Sequence, residues 1–171
     1  PDYKVRSDVE RTSSRAEDIP FSDAVSFYDI LKEQLGERDL SSHMRDLVEY
    51  LIGSIDNDGL LRKDLSNIED ELLFNYNVQT NQKELTQALR ILQDFDPAGI
   101  GARNLQECLL LQIDRKEDSP VKKIEQRIII KCYEDFTRKH WDKIIQKLNI
   151  TQKDFEEAKD ELIHLNPRPG S

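Results

Sequence analysis

Alternation of apolar and polar residues, the mark of a half-buried strand, is missing from this 171-residue sequence, and glycine and proline are scarce at six each. Those glycines and prolines sit at joints between periodic stretches, apart from Gly53, which falls inside one and is expected to let another helix approach closely. There are only two cysteines, Cys108 and Cys132, without CxxC spacing, so they read as buried thiols in a reducing cytoplasm and not as a disulfide framework. No apolar run approaches a membrane span and no signal peptide is recognisable, so no membrane partner is expected and the location is read as cytoplasmic. His43, His140 and His164 lack HxxxH or HExxH spacing, which argues against a metal site. GxSxG, P-loop and dinucleotide motifs are absent, and Gly99-Ile100-Gly101 follows a helix instead of a strand. Nothing brings together a nucleophile, a base and an orienting group. The expectation is a non-enzyme with no cofactor and no small-molecule ligand.

What is present is helix. Charged residues make up 35% and hydrophobic residues 37%, which leaves a lean core, and the net charge is −9. Residues 1–20 are polar and aperiodic and are expected to form a flexible linker or tail. A first helix is expected over about 26–35, ending at Gly36. Met44, Leu47, Val48, Leu51, Ile52 and Ile55 then repeat at helical spacing behind a Ser41 or Ser42 cap. Capping-box pairs open the next three helices: Ser66 with Glu69, Asn81 with Glu84, and Asn104 with Glu107. Asp96-Pro97 stops the fourth, because the residue before a proline is pushed out of the helical region. Ser119-Pro120 opens a sixth, with an apolar stripe from Val121 through Phe136. Trp141, Ile144, Ile145 and Leu148 mark a seventh, and Phe155, Ala158 and Leu162 an eighth that ends at Asn166-Pro167.

The predicted fold is therefore all-α. Lys116-Glu117-Asp118 is a charged break, placing one helical subdomain over 21–118 and another over 119–171. Short helix, asparagine turn, longer helix and proline stop occur twice, around Asn77 and around Asn149, which gives each subdomain a helix-turn-helix-like unit. Neither second helix is basic. The one over 82–94 is neutral and the one over 153–164 carries a net −3, so neither suits a phosphate-lined groove.

Two features invite a binding role. Asp56-Asn57-Asp58-Gly59 has calcium-loop residues, but Ser54 and Leu65 would occupy the first and last ligand positions of an EF-hand, so the segment reads as a helix-ending turn. The stretch 122–147 carries Lys122, Lys123, Arg127, Lys131, Arg138, Lys139, Lys143 and Lys147 against four acids, a net +4 in an acidic chain. It is either a solvated helix face or a patch for an acidic partner; direct nucleic-acid binding through it is the alternative function.

Three segments carry a resemblance. They are Tyr50 to Leu61 (YLIGSIDNDGLL), Leu92 to Leu109 (LQDFDPAGIGARNLQECL) and Leu165 to Gly170 (LNPRPG). In order and spacing they resemble the sigma-54 (nitrogen-type) RNA polymerase sigma factors, over roughly 26–170. The resemblance implies two helical subdomains that grip core RNA polymerase through its β and β′ subunits. It also implies that the family's glutamine-rich activator-responsive segment lies before this region, and its promoter-reading helix-turn-helix and arginine-rich box after it. Promoter DNA is then expected to be read only by those other parts. The motif residues Gly53, Asp56, Asp58, Gly59, Asp96, Pro97, Gly99, Gly101, Arg103, Glu107, Asn166 and Pro167 are expected to be mainly structural. A glycine at 99 or 101 should adopt positive φ, and Arg103 and Glu107, four apart, should pair.

Overall fold

A computed structural model describes the backbone of residues 20–171, and side chains from 27 onward; but for Pro20, the tail expected over 1–20 lies outside the described residues. The described residues form helices α1 (Pro20–Gly36), α2 (Ser42–Ser54), α3 (Leu65–Tyr76), α4 (Gln82–Gln93), α5 (Leu105–Asp114), α6 (Pro120–Lys131), α7 (Tyr133–Thr137), α8 (Trp141–Leu148) and α9 (Gln152–Leu162), with no strand among them. The described residues divide into two compact units, one ending at Gly53 and one over 54–171.

In the first unit, Leu31, Leu35, Leu47, Val48, Leu51 and Ile52 are buried. Ser41 caps α2 by accepting the Met44 N–H at 3.1 Å. Arg45 clasps the end of α1, donating to the carbonyls of Leu35 (2.7 Å) and Arg38 (2.6 Å). A guanidinium fork suits the last carbonyls of a helix, which otherwise lack partners.

Helix starts in the second unit follow their caps. Asn81, Asn104, Ser119 and Thr151 each accept the N–H three residues on. α3 differs from expectation. It begins at Leu65, with Asp64 in the cap position and no side-chain cap bond, so the Ser66–Glu69 pair lies inside the helix. Leu65 is 4% exposed, and its burial draws the helix start back past Ser66. Asn77 and Asn149 both close their helices in the left-handed conformation, at φ 55° and 54°, which asparagine tolerates better than most residues.

The boundary expected at 118/119 falls inside the second unit. Leu109 and Ile113 of α5, Ile128 and Ile129 of α6, Ile144 of α8 and Phe155 of α9 share one apolar cluster. The charged loop is a surface turn between helices that bury the same core. The long stripe expected through Phe136 is broken at Cys132, where α6 gives way to the five-residue α7. Gly53 also differs from expectation: it is exposed, and among the described residues a Cβ there would meet nothing within 4 Å, so no described helix approaches it closely.

Both cysteines are buried, Cys108 at 0% and Cys132 at 3% exposure. Burial pushes both thiols up, away from the reactive thiolate. Labelling by a bulky thiol reagent is expected to be roughly tenfold or more slower in the native chain than in denaturant. Rapid labelling of both cysteines in the native chain would contradict this packing.

Candidate functional site: a junction of three motif segments

The segments 56–61, 97–109 and 166–170 are far apart in sequence and meet in the second unit. The first is organised by Asp56. One carboxylate oxygen accepts the N–H groups of Asp58 (2.9 Å) and Leu60 (3.0 Å), and the other accepts from the Arg62 guanidinium (2.8 Å). Partial burial opposes ionisation here, but the Leu60 N–H, Arg62 and the Asp58 N–H outweigh it and hold the carboxyl below its usual range. Asp58 lies 3.8 Å from both Arg62 and Arg168.

Segment 59–61 then pairs with 101–102. Gly101 N–H donates to the Gly59 carbonyl and Leu61 N–H to the Ala102 carbonyl, each at 2.8 Å. The third segment closes on the first, where Gly170 N–H donates to the Asp58 carbonyl at 3.0 Å. The fit is backbone against backbone. A Cβ on Gly59 would stand 2.6 Å from the Gly170 nitrogen, and one on Gly170 would stand 2.6 Å from the Gly59 nitrogen. Gly59, Gly99 and Gly101 all have positive φ, at 88°, 95° and 79°, so both glycines of the second segment are left-handed where at least one was expected.

Side chains from α4 and α5 fasten the junction. Gln112, on the buried face of α5, binds the Asn166 backbone twice: its Nε2 donates to the carbonyl (2.6 Å) and its Oε1 accepts the N–H (2.8 Å). Asn166 in turn accepts the Arg168 N–H (2.9 Å), and Pro167 is exposed. Glu107 accepts the backbone N–H of Arg103 at 2.7 Å, and Gln93 Nε2 approaches it at 3.4 Å. The expected Arg103–Glu107 pair is thus made with the arginine backbone, because the carboxylate folds back over the start of α5, where N–H groups lack helical partners. Asp96, next to Pro97, receives Arg115 at 2.7 Å, and the same guanidinium caps α4 through the carbonyls of Gln93 (3.1 Å) and Phe95 (2.5 Å). Gln112 falls at helical spacing with Cys108 and Leu109, but its partner 54 residues away leaves no local mark in the sequence.

Removing the Asp56 carboxylate should be felt. Asp56→Ala leaves two backbone N–H groups without their acceptor and is expected to cost about 1–3 kcal/mol near neutral pH. A carboxyl held low in the fold stabilises it above its unfolded value, and that stability is lost as pH falls through the folded value. The gap between wild type and Asp56→Ala should therefore narrow below about pH 4. Urea titrations at pH 7 and pH 3 measure it, and an equal gap at both would contradict the assignment.

The basic stretch is less uniform than its sequence. Lys122 is 9% exposed and turned inward, donating to the carbonyls of Asp114 (3.2 Å) and Lys116 (2.7 Å) and to Asp118 (3.1 Å). It caps α5 and is withdrawn from any contact surface. Arg127 donates to the Leu148 carbonyl (2.9 Å), ending α8. Lys147 is paired with Asp135 (2.7 Å), which lies 3.6 Å from His140, and Arg138 lies 4.0 Å from Glu134. Lys123, Lys131, Lys139 and Lys143 are exposed. Lys139 sits at φ 61° in the turn before α8, whose first residue is Trp141, so it does not share a helical face with Lys143.

No cluster of three or more His, Cys, Asp or Glu side chains able to hold a metal occurs among the described residues. What the junction does chemically is hold its own chain: its donors and acceptors face one another. Such an arrangement fixes the relative placement of α4 and α5 and brings the end of the chain back onto the turn after α2.

Comparison with known proteins agrees with the motifs. Residues 20–171 match the family model described as sigma-54 factor, core binding domain. The RNA polymerase sigma-54 factor of Bacillus subtilis (strain 168) is 32% identical over 143 residues, which is 83% of this chain and 31% of that protein. That of Xanthomonas euvesicatoria is 32% identical over 164 residues, 95% of this chain and 33% of its own length, and that of Acidithiobacillus ferridurans is 33% identical over 148 residues. The chain spans about a third of the length of these relatives. The match covers α1 through α9 and the whole three-segment junction, and the chain belongs to the sigma-54 factor core binding domain family.

Proposed function

We propose that this chain holds a sigma-54-type initiation factor on core RNA polymerase through the β and β′ subunits, acts as a binding module with no catalytic step, and reads no promoter sequence itself. The observation that carries this reading is the family match across 20–171. The chemistry of the described surface supports it. The exposed cations Lys123, Lys131, Arg138, Lys139 and Lys143 offer contacts to an acidic protein surface. α9, the second helix after the Asn149 turn, carries Asp154, Glu156, Glu157, Asp160 and Glu161 against Lys153 and Lys159. Lys159 is moreover engaged, 3.1 Å from Glu156 and over the Trp141 ring at 5.5 Å. Phosphates of a duplex groove would be repelled there.

The chain is expected to bind purified bacterial core RNA polymerase and to show no preference among DNA duplexes of different sequence. Size-exclusion co-elution with core polymerase tests the first part, and fluorescence anisotropy with promoter and random duplexes the second. Specific retention of a promoter duplex by this chain would overturn the reading.

A further inference from the structure

α6 has an unusual division of charge. Its residues Pro120–Lys131 include four cations and one acid, and that acid, Glu125, is 0% exposed. Glu125 points into the second unit, where Lys116 meets it at 2.8 Å. Lys122 is turned inward as well. What α6 presents outward is Pro120, Lys123, Arg127, Ile130 and Lys131, which fall within about 100° of the helix circumference at 100° per residue. No carboxylate of α6 lies on that arc. Glu134, the first acid beyond it, is exposed on α7, and Asp114 of α5 borders the arc by accepting from Gln126 at 3.0 Å.

The arc also has an apolar edge, at Ile130. Ile130 is 59% exposed although its neighbours Ile128 and Ile129 are fully buried. Gln106 of α5 donates to the Ile129 carbonyl at 2.9 Å, and this bond is flanked by two exposed aliphatic residues, Ile130 on α6 and Leu105 at 36% exposure on α5. Exposed aliphatic side chains among cations do not help a phosphate backbone, which is met by charge and polar donors. They do suit a protein partner, whose interface core excludes water around apolar anchors inside a charged rim.

We propose that the outer face of α6, Lys123, Ile130 and Lys131 with Leu105 beside it, is a docking surface for an acidic segment of core RNA polymerase that inserts an aliphatic side chain against Ile130 and Leu105. This rests on the polymerase-binding reading above and goes further by naming the face and the chemistry of its partner. The cations supply attraction and orientation at long range, and the aliphatic pair supplies contact that salt does not screen.

The test uses this chain, purified bacterial core RNA polymerase and four variants. Ile130→Ser and the double reversal Lys123→Glu/Lys131→Glu alter exposed side chains outside the core, and circular dichroism checks that each keeps the helical fold. Phe74→Ser on α3 and Lys153→Glu on α9 are surface controls on other elements. Ile130→Ser is expected to weaken core polymerase binding about tenfold at every salt concentration. The double reversal should weaken it more than about tenfold at low salt, with the loss shrinking at high salt. The controls should bind like wild type. If wild type binds and both α6 variants bind equally well, the docking surface is refuted while the polymerase reading stands. If the double reversal abolishes binding to duplex DNA and Ile130→Ser alters nothing, the face serves nucleic acid and the proposal is overturned. If wild type does not bind core polymerase, the reading beneath it fails too.

Discussion

Gly59→Val is expected to destabilise the second unit by about 3–5 kcal/mol, the largest loss from any single substitution considered in this chain. Two independent penalties combine. Gly59 holds φ at 88°, a conformation that costs a β-branched residue on the order of 1–3 kcal/mol. The new Cβ would also stand 2.6 Å from the Gly170 nitrogen and 3.0 Å from the Ile100 Cδ1. The first neighbour is backbone and cannot rotate aside, so the 166–170 segment must lift away from the turn, and the Gly170 N–H loses its bond to the Asp58 carbonyl. Gly99→Val should cost less, because its first neighbour is a side-chain atom, the Cys108 Sγ at 2.9 Å. Gly36→Ala serves as the control: among the described residues nothing lies within 4 Å of its Cβ position, and it should change stability by no more than about 0.5 kcal/mol. Urea unfolding followed by circular dichroism measures all three. An unchanged midpoint for Gly59→Val would refute the backbone-on-backbone junction.

The second large effect is expected at Lys116→Met. Lys116 bridges Glu125 on α6 and Glu161 on α9, with both distances at 2.8 Å. Glu125 is fully buried, and its second oxygen has no hydrogen-bond partner among the described residues. Burial and the nearby Glu161 push its carboxyl up, against the pull of Lys116. Glu161 is more exposed, and the Lys116 ammonium holds it low. Removing the ammonium leaves a buried carboxylate beside a second one, at an expected cost of about 2–4 kcal/mol at pH 8.

The pH dependence has a definite sign. A carboxyl whose folded pKa stands above its unfolded value binds more protons when folded, so stability falls as pH rises from the unfolded value through the folded one. Losing Lys116 removes the group that pulls the Glu125 carboxyl down, so the variant should recover part of its stability as the pH is lowered from 8 to 5, because protonation of the buried group is then favoured. Glu125→Gln added to Lys116→Met should restore much of the loss at pH 8, because the amide carries no charge to desolvate. Equal losses at pH 5 and pH 8 would show that Lys116 acts by packing alone.

Helices were legible wherever a cap and an apolar period agreed. Asn81, Asn104 and Ser119-Pro120 mark their helix starts within a residue, because each cap is a local bond between a side chain and the N–H three positions on. Errors arose where a distant contact decided. Ser66 and Glu69 have the spacing of a capping box, yet burial of Leu65 starts α3 earlier. The 116–118 run is charged like a linker, yet Lys116 is drawn in by Glu125 and Glu161, and α5 and α6 share a core.

The motif segments were legible as turns and helix starts, but their meeting was not. Asp56, Gly59, Gly99 and Gly101 each have a local turn signature, whereas the pairing of Gly59 with Gly170 spans most of the second unit and leaves no local mark. Charge counting failed for Lys122, because a count cannot tell a cation that caps the preceding helix from one that faces solvent.

In the proposed role, the body built by this junction presents the surface that holds the factor on core RNA polymerase. Titrating fluorescently labelled chain with purified bacterial core polymerase, followed by anisotropy, tests it most directly. Saturable one-to-one binding is expected, with Gly59→Val weakening it as the second unit is destabilised and Gly36→Ala retaining it. Absence of saturable binding by the folded wild-type chain would overturn the proposed role on core polymerase.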